Sequence, residues 1–144
     1  MKEKQAIKYL ESLNQWAHLK GYTVSYSYNA EDEVSFENKT ITISSRTNPE
    51  KMLYSLLHEC GHLLKYNNNS DSYHKKYPLA KTIMCDGRTR HSNQGRVETI
   101  EEEINAWKKG EKLADRLGFK MNKKVYRKYA ADNVITYIDW AAAR

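Results

Sequence analysis

The segment from Asn48 to Tyr66 constrains the fold of this 144-residue chain more than any other part of it. Asn48, Pro49 and Glu50 predict a helix start, because an N-cap amide, a proline in the first position and an acid in the first turn are all favoured there. The asparagines beginning at Asn67 predict its end. The main apolar stripe comprises Leu53, Leu57, Cys60 and Leu64, with Leu56 and Leu63 beside it. We therefore expect one side of a long helix to anchor this segment in the core.

The same helix contains an H-E-x-x-H motif formed by His58, Glu59 and His62. Histidines four residues apart project about 40° from each other on a helix, so both imidazoles can reach one ion. They lie about 140–180° from the centre of the apolar stripe, which predicts that they face a cleft. Glu59 is placed to act as a general base on water without binding the metal. The motif thus predicts a zinc site, and the alternative is a pair of surface histidines on an amphipathic helix.

A catalytic zinc ion requires a third protein ligand. Lys65 and Asn68 occupy the positions where the metzincin pattern has glycine and histidine, which excludes that arrangement. Glu103 is predicted to lie near the middle of the apolar face of a later helix, where a carboxylate needs a partner. That face comprises Ile100, Ile104, Trp107, Ala114 and Leu117, with Glu101 and Glu102 expected on the solvent side. Glu103 is the predicted third ligand and Glu111 the second candidate, and an ion pair between Glu103 and a basic side chain is the alternative.

Patterning along the whole chain predicts an α+β fold in a single domain over residues 1–144. The expected elements are a helix over 3–20 that stops at Gly21, strands over 22–28, 33–37 and 40–44, the motif helix, and helices over 96–117 and from Asn122 to the C-terminus. We expect the three strands to form a meander. Residues 67–95 are polar and turn-rich, and 72–84 could hold a short helix.

Charge and composition bear on location and partners. The net charge is +6, and much of the excess lies within residues 108–128. A nucleic-acid surface is one interpretation, but solvated lysine-rich helix faces are favoured because aromatic residues do not interleave with the lysines as stacking platforms would. No apolar run reaches the roughly 20 residues of a membrane span, and the N-terminal segment is charged and amphipathic, unlike a signal peptide. We therefore expect a cytoplasmic protein without membrane contact, in which Cys60 and Cys85 are free thiols.

Several further residues are candidates for parts of an active site. Tyr66, His74 and His91 are candidates for the group that stabilises an oxyanion. A second zinc site that combines Cys60 and Cys85 with His74 and His91 is disfavoured, because their spacings fit no compact pattern. The strand Thr40–Ser44 is expected to offer an edge to which an extended peptide substrate could add.

Two short motifs resemble those of the ImmA/IrrE-like metallopeptidases, which are bacterial and phage zincins. The matching residues are His58–Glu59–Cys60–Gly61–His62 and Glu103–Ile104–Asn105–Ala106–Trp107, and the resemblance spans residues 20–118. It implies a zincin-like fold in which His58, His62 and Glu103 bind zinc and Glu59 is the base. Members of that family include proteases that act on repressors, so a repressor-like protein is one candidate substrate, although no appended helix-turn-helix or sensor domain is predicted here. Trp107 and Lys108 replace the asparagine and phenylalanine that follow the alanine in that family.

These observations predict a zinc-dependent metallopeptidase that hydrolyses a peptide bond with water activated by Glu59, and the compact size suits a phage or mobile-element protein. The alternative is a binding protein on a zincin scaffold, such as a phage inhibitor or a DNA-associated factor, with little or no catalysis. The basic C-terminal half motivates that alternative. Neither the identity of the substrate nor the oligomeric state follows from the sequence.

Overall fold

The computed structural model describes residues 1–68, residue 75 and residues 92–143. Over these residues the chain is an α+β fold of four helices and a small three-stranded sheet, as predicted. The elements are α1 (Glu3–Leu19), β1 (Thr23–Ser27), β2 (Glu33–Ser35), β3 (Thr40–Ser44), α2 (Pro49–Asn68), α3 (Asn93–Arg116) and α4 (Lys123–Ala142). His74, Cys85 and His91 lie outside the described residues, and so does the short helix predicted within 72–84, except for residue 75, which is helical.

Side-chain caps and glycines set the helix boundaries. The Asn48 side chain accepts a hydrogen bond from the backbone N–H of Lys51 at 2.9 Å, which caps α2 as predicted. Helix α3 begins three residues earlier than expected, because Ser92 accepts from the backbone N–H of Gly95 and provides an N-cap that the sequence interpretation missed. After α1 and α3 the chain turns at Gly21 and Gly118, whose φ values of 88° and 75° favour glycine.

The sheet is not the predicted meander. Its strand order is β1-β3-β2, with β1 parallel and β2 antiparallel to β3. β3 is central because it carries the two fully buried strand residues Ile41 and Ile43, whereas β1 and β2 contain no fully buried residue. The prediction that β3 offers a free edge to a peptide is therefore wrong, since both of its edges are paired. The edge strand that contacts the motif helix α2 is β2.

Helix α2 lies at the centre of the fold and contacts α1, α3, α4, β2 and β3. Every residue from Leu53 to Leu64 is buried, so this helix is covered around its whole circumference and not along one stripe alone. The apolar residues of the stripe pack in the core with Leu10, Leu13 and Ala17 of α1 and with Ile41 and Ile43 of β3. The motif residues, which the same helix carries, are consequently buried as well. Among the described helices, none is long and apolar enough to cross a membrane.

Candidate metal centre between the second and third helices

The side chains of His58, His62 and Glu103 meet where α2 packs against α3. The Nε2 atoms of the two imidazoles lie 3.1 Å apart. Glu103 Oε2 lies 2.7 Å from His58 Nε2, and Glu103 Oε1 lies 3.1 Å from His62 Nε2. Zinc bonds of about 2.0–2.2 Å in tetrahedral geometry separate neighbouring donor atoms by roughly 3.3 Å. The three residues therefore present donor atoms at nearly the mutual spacing of a zinc ligand set.

Both histidines face α3 and are only 8% and 6% exposed, so the expected open cleft is replaced by a largely covered site. They lie opposite the apolar stripe of α2, as the helical spacing predicted. Because α2 is central, that opposite face is covered by a second layer, α3. The interpretation of the pair as surface histidines is wrong.

Glu59 lies on the other side of His58. Its Oε1 is 3.3 Å from His58 Nδ1, and the residue is only 4% exposed. His58, Glu59 and His62 also form a buried group whose donor atoms all lie within 4.8 Å of one another, so this set too could hold a metal. The set with Glu103 is tighter, and its carboxylate faces the Nε2 atoms of both imidazoles. Glu59 faces the opposite ring nitrogen of His58, which leaves its carboxylate available for a role other than that of a ligand.

Charges at this site shift the pKa value of each of its three members, His58, His62 and Glu103, so that its charged form is favoured. Burial disfavours the charged imidazoles, but the neighbouring carboxylates outweigh it and raise the pKa of His58 and, more strongly, of His62. Burial alone would also raise the pKa of Glu103, yet His62 and His58 lower it below its ordinary value. Without a metal, the site is therefore a carboxylate held between imidazoles that favour the protonated form.

Glu102 contributes an outer partner that the sequence interpretation missed. Its Oε1 lies 3.2 Å from His62 Nδ1, the ring nitrogen that faces away from Glu103. The Glu102 side chain is 18% exposed, so the prediction that it lies on the solvent side of α3 is wrong. A carboxylate on the second nitrogen of a ligating histidine orients the ring and raises its basicity. The consecutive residues Glu102 and Glu103 contact the two ring nitrogens of His62, because α3 passes directly over the histidines.

Two glycines allow α2 and α3 to approach this closely. A Cβ atom on Gly61 would overlap the backbone carbonyl of Ala106, and one on Gly110 would overlap the backbone carbonyl of Leu57. Each helix thus supplies a glycine at the point where the backbone of the other passes. The reciprocal contact explains why the fourth residue of the motif is glycine, and it brings Glu103 within reach of both histidines.

The buried face of α3 is rotated from the predicted one. Its buried residues are Gly95, Glu103, Ala106, Trp107, Gly110, Leu113 and Ala114. Ile100 and Ile104 are only half-buried, because small residues rather than large ones lie at the centre of the close crossing. Glu111 pairs with Arg127 of α4 through contacts of 2.8 and 3.0 Å, which removes the second candidate for the third ligand from the site.

Trp107 covers the candidate metal centre from one side. Its indole stacks on the His58 imidazole, with ring centroids 4.3 Å apart and planes 8° apart. Its Nε1 is buried and has no hydrogen-bond partner among the described residues. The edges of Tyr126 and Tyr129 approach the same indole, and the Tyr126 hydroxyl donates to the Trp107 carbonyl at 2.7 Å. The ring of His58 is therefore held by aromatic packing on a rigid support.

A cavity of about 190 Å³ adjoins the centre. Its lining includes Ser55, His58 and Glu59 of α2, Glu103 and Trp107 of α3, Asn133, Thr136 and Tyr137 of α4, and Glu31 and Asp32 before β2. The residues from α4 and from the β1–β2 connection were not predicted. On α4 the spacing of Tyr126, Ala130, Asn133 and Tyr137 on one helical face was a usable signal, but only the tertiary packing shows that this face ends at the cavity.

The remaining candidates among the described residues do not line the cavity. Tyr66 stacks on Phe36 with centroids 4.1 Å apart and is not among the residues that line the cavity. Cys60 is a free, fully buried cysteine, and burial raises the pKa of its thiol well above the ordinary value. Among the late basic residues, Lys123 pairs with Asp115 and Lys128 with Asp132, so acidic side chains offset part of the positive surface.

Comparison with known proteins adds no identification, since no family model, no curated protein and no solved structure matches this chain.

Proposed function

We propose that this chain is a zincin-like, zinc-dependent peptidase in which His58, His62 and Glu103 bind the metal and Glu59 is the general base. The observation that carries the proposal is a triangle of three side chains. The two Nε2 atoms lie 3.1 Å apart, and the Glu103 carboxylate places Oε2 2.7 Å from His58 Nε2 and Oε1 3.1 Å from His62 Nε2. Glu103, drawn from a different helix, closes the triangle.

The donor set suits zinc better than the hard cations. Calcium and magnesium prefer oxygen ligands, whereas two imidazoles and one carboxylate are typical of catalytic zinc sites. Such sites keep one position open for water or substrate. In this chain the adjoining cavity, which His58, Glu59 and Glu103 line together, provides room on one side of the triangle. Several water molecules fit in this volume, since each occupies about 30 Å³ in the liquid.

A zinc ion bound by these residues would polarise a substrate carbonyl and lower the pKa of water at the site. Glu59 then accepts the proton of the attacking water and passes it to the leaving amine. Its carboxylate is suited to this role because it is buried, lines the cavity and faces the ring nitrogen of His58 that points away from Glu103. Trp107 and Glu102 hold the two histidine rings in place. Proteins of the repressor type are the first substrates to test, on the basis of the motif resemblance.

The decisive experiment compares the wild-type chain with Glu59→Gln. We expect the purified wild type to contain one zinc ion per chain and to cleave a protein substrate. Glu59→Gln should keep the zinc and lose cleavage, because the amide cannot accept the proton. A wild type that does not bind zinc, or a variant that cleaves at the wild-type rate, would contradict the proposal.

A further inference from the structure

Strand β1 forms an edge of the sheet, and its outward backbone groups have no partner in the part of the chain that the structure describes. The Thr23 N–H donates to the residue before β3 at 3.0 Å, and the Ser27 carbonyl accepts from the residue after β3 at 3.1 Å. Backbone groups of successive strand residues face opposite sides, so the N–H and C=O groups of Val24 and Tyr26 point away from β3. No hydrogen bond from the described residues reaches these groups.

β1 also lacks the features that normally protect a sheet edge from further pairing. Edge strands in proteins are usually very short, or they carry charged residues, proline or a bulge. β1 contains no charged residue and no proline, and its pairing with β3 is unbroken over five residues. The opposite edge, β2, has only three residues, begins with Glu33 and directly follows Glu31 and Asp32. β1 is therefore the edge to which a further strand can add.

A groove of about 530 Å³ lies beside the start of β1, between residues 22–24 and the C-terminal half of α1. Leu19 lines this groove and is 85% exposed. Val24 and Tyr26 are only half-buried, so α1 covers β1 in part and leaves its edge accessible. Tyr28, which directly follows β1, is 68% exposed. The same edge thus carries a recess at one end and an exposed aromatic side chain at the other.

Antiparallel pairing of β1 with β1 of a second copy brings these complementary features together. With a two-fold axis at Ser25, Val24 lies opposite Tyr26 of the second copy. Their outward groups then exchange both backbone hydrogen bonds, as directly opposite residues of an antiparallel pair do. In the same register Tyr28 lies opposite Tyr22 of the second copy, at the mouth of its groove. One register therefore uses the unpaired backbone groups, the groove and the exposed tyrosine of both copies.

We propose that two copies of this chain form a dimer by antiparallel pairing of their β1 strands about Ser25, with Tyr28 of each copy packed in the groove of the other. The three-stranded sheets of the two copies join into one continuous sheet. β1 lies on the opposite side of β3 from β2, and Glu31 and Asp32 of the cavity wall directly precede β2. The pairing thus uses no residue of the candidate metal centre and does not depend on the proposed peptidase activity.

Sedimentation velocity of the full-length protein tests the dimer at concentrations from about 1 µM to 1 mM, which suit the weak affinity of a small interface. We expect the wild type to dimerise within this range. Ser25→Lys should remain monomeric, because it places like charges opposite each other at the axis. Ser12→Lys, the same change at an exposed position of α1 outside the groove, should dimerise as the wild type does. Tyr28→Ala should raise the dissociation constant at least about ten-fold. A wild type that stays monomeric throughout, or a Ser25→Lys variant that dimerises equally well, would overturn the proposal.

Disulfide formation tests the register directly, with Cys85→Ser in both variants so that the buried Cys60 is the only native cysteine left. Ser25→Cys should form an intermolecular disulfide under mild oxidation, because Cα atoms of such a pair lie about 4.5 Å apart, within the span of a disulfide. Ser27→Cys should not, since Ser27 lies opposite Thr23 and the two introduced thiols are roughly 13 Å apart along the strands. Equal cross-linking of the two variants, or none in Ser25→Cys, would contradict pairing about Ser25.

Discussion

The indole of Trp107 lies flat on the imidazole of His58, with ring centroids 4.3 Å apart and an interplanar angle of 8°. This contact links the core of α3 to the candidate metal centre, because Trp107 is buried against Tyr126 and Tyr129 on its other sides. The stack restricts the ring of His58 to one plane, and its Nε2 is thereby directed toward Glu103.

Trp107→Leu should therefore weaken zinc binding as well as stability. Loss of a residue that orients a metal ligand typically reduces metal affinity about 10- to 100-fold, and we expect an effect of that size. Competition with a chromogenic chelator measures it. Trp16→Leu on α1 is the matched control, since it removes a half-buried tryptophan that does not line the cavity and should leave zinc affinity unchanged. Equal zinc affinities in the two variants would contradict a positioning role for Trp107.

Replacement of Glu103 distinguishes between the two buried sets that could hold a metal. We expect Glu103→Ala to lose bound zinc, whereas Glu101→Ala, which changes an exposed residue two positions earlier on the same helix, should retain one ion per chain. Metal analysis after gel filtration gives the stoichiometry, and circular dichroism checks that each variant is folded. Full zinc content in Glu103→Ala together with loss in Glu59→Ala would instead assign the third ligand to Glu59.

Gly110→Ala should destabilise the protein, although alanine normally stabilises a helix by about 1 kcal/mol relative to glycine. The added methyl would overlap the carbonyl of Leu57 and lie 2.8 Å from the Tyr126 hydroxyl, so α2 and α3 must separate. We expect a loss of about 1–3 kcal/mol in the free energy of unfolding, measured by urea denaturation of metal-free protein. Lys112→Ala, an exposed change on the same helix, should remain within about 0.5 kcal/mol of the wild type. An increase in stability for Gly110→Ala would show that the helices do not cross as closely as described.

The raised pKa values of His58 and His62 predict that metal binding depends on pH. In the metal-free protein the protonated pair stabilises the fold below the unfolded-state pKa of about 6.5, and this stabilisation is lost as the pH rises through the raised folded-state pKa. Zinc binds only neutral imidazole, so it must displace protons that these histidines retain above that ordinary pKa. Calorimetry in two buffers of different ionisation enthalpy should detect proton release when zinc binds at about pH 7. Binding without proton release would contradict the raised pKa values.

Local patterns were sufficient for much of the fold and for the histidine pair. The N-cap at Asn48, the glycine stops and the apolar periodicity depend on neighbours within a few residues, so the positions of the helices could be predicted from the sequence. The relation of His58 to His62 follows from helical geometry alone. The burial of Glu103 was also predicted, from an apolar face on which Trp107 and Ala114 are buried but Ile100, Ile104 and Leu117 are only half-buried. Its role as a ligand remains a prediction.

Tertiary structure decided the features that depend on contacts between distant segments. The strand order β1-β3-β2 arises because β3 is the most buried strand, and no local pattern specifies which strands pair. The approach of Glu102 and Glu103 to the histidines depends on Gly61 and Gly110, which lie on different helices. Each of these glycines leaves room for the backbone of the other helix. The cavity wall that includes Tyr137 exists because α4 returns across α2 and α3. The sequence alone thus determined the helices and the spacing of the histidine pair, since both follow from local geometry. Three features depend on the packing of elements that are far apart in the chain. They are the burial of the site, the contact of Glu102 with His62, and the part of the cavity wall that α4 contributes.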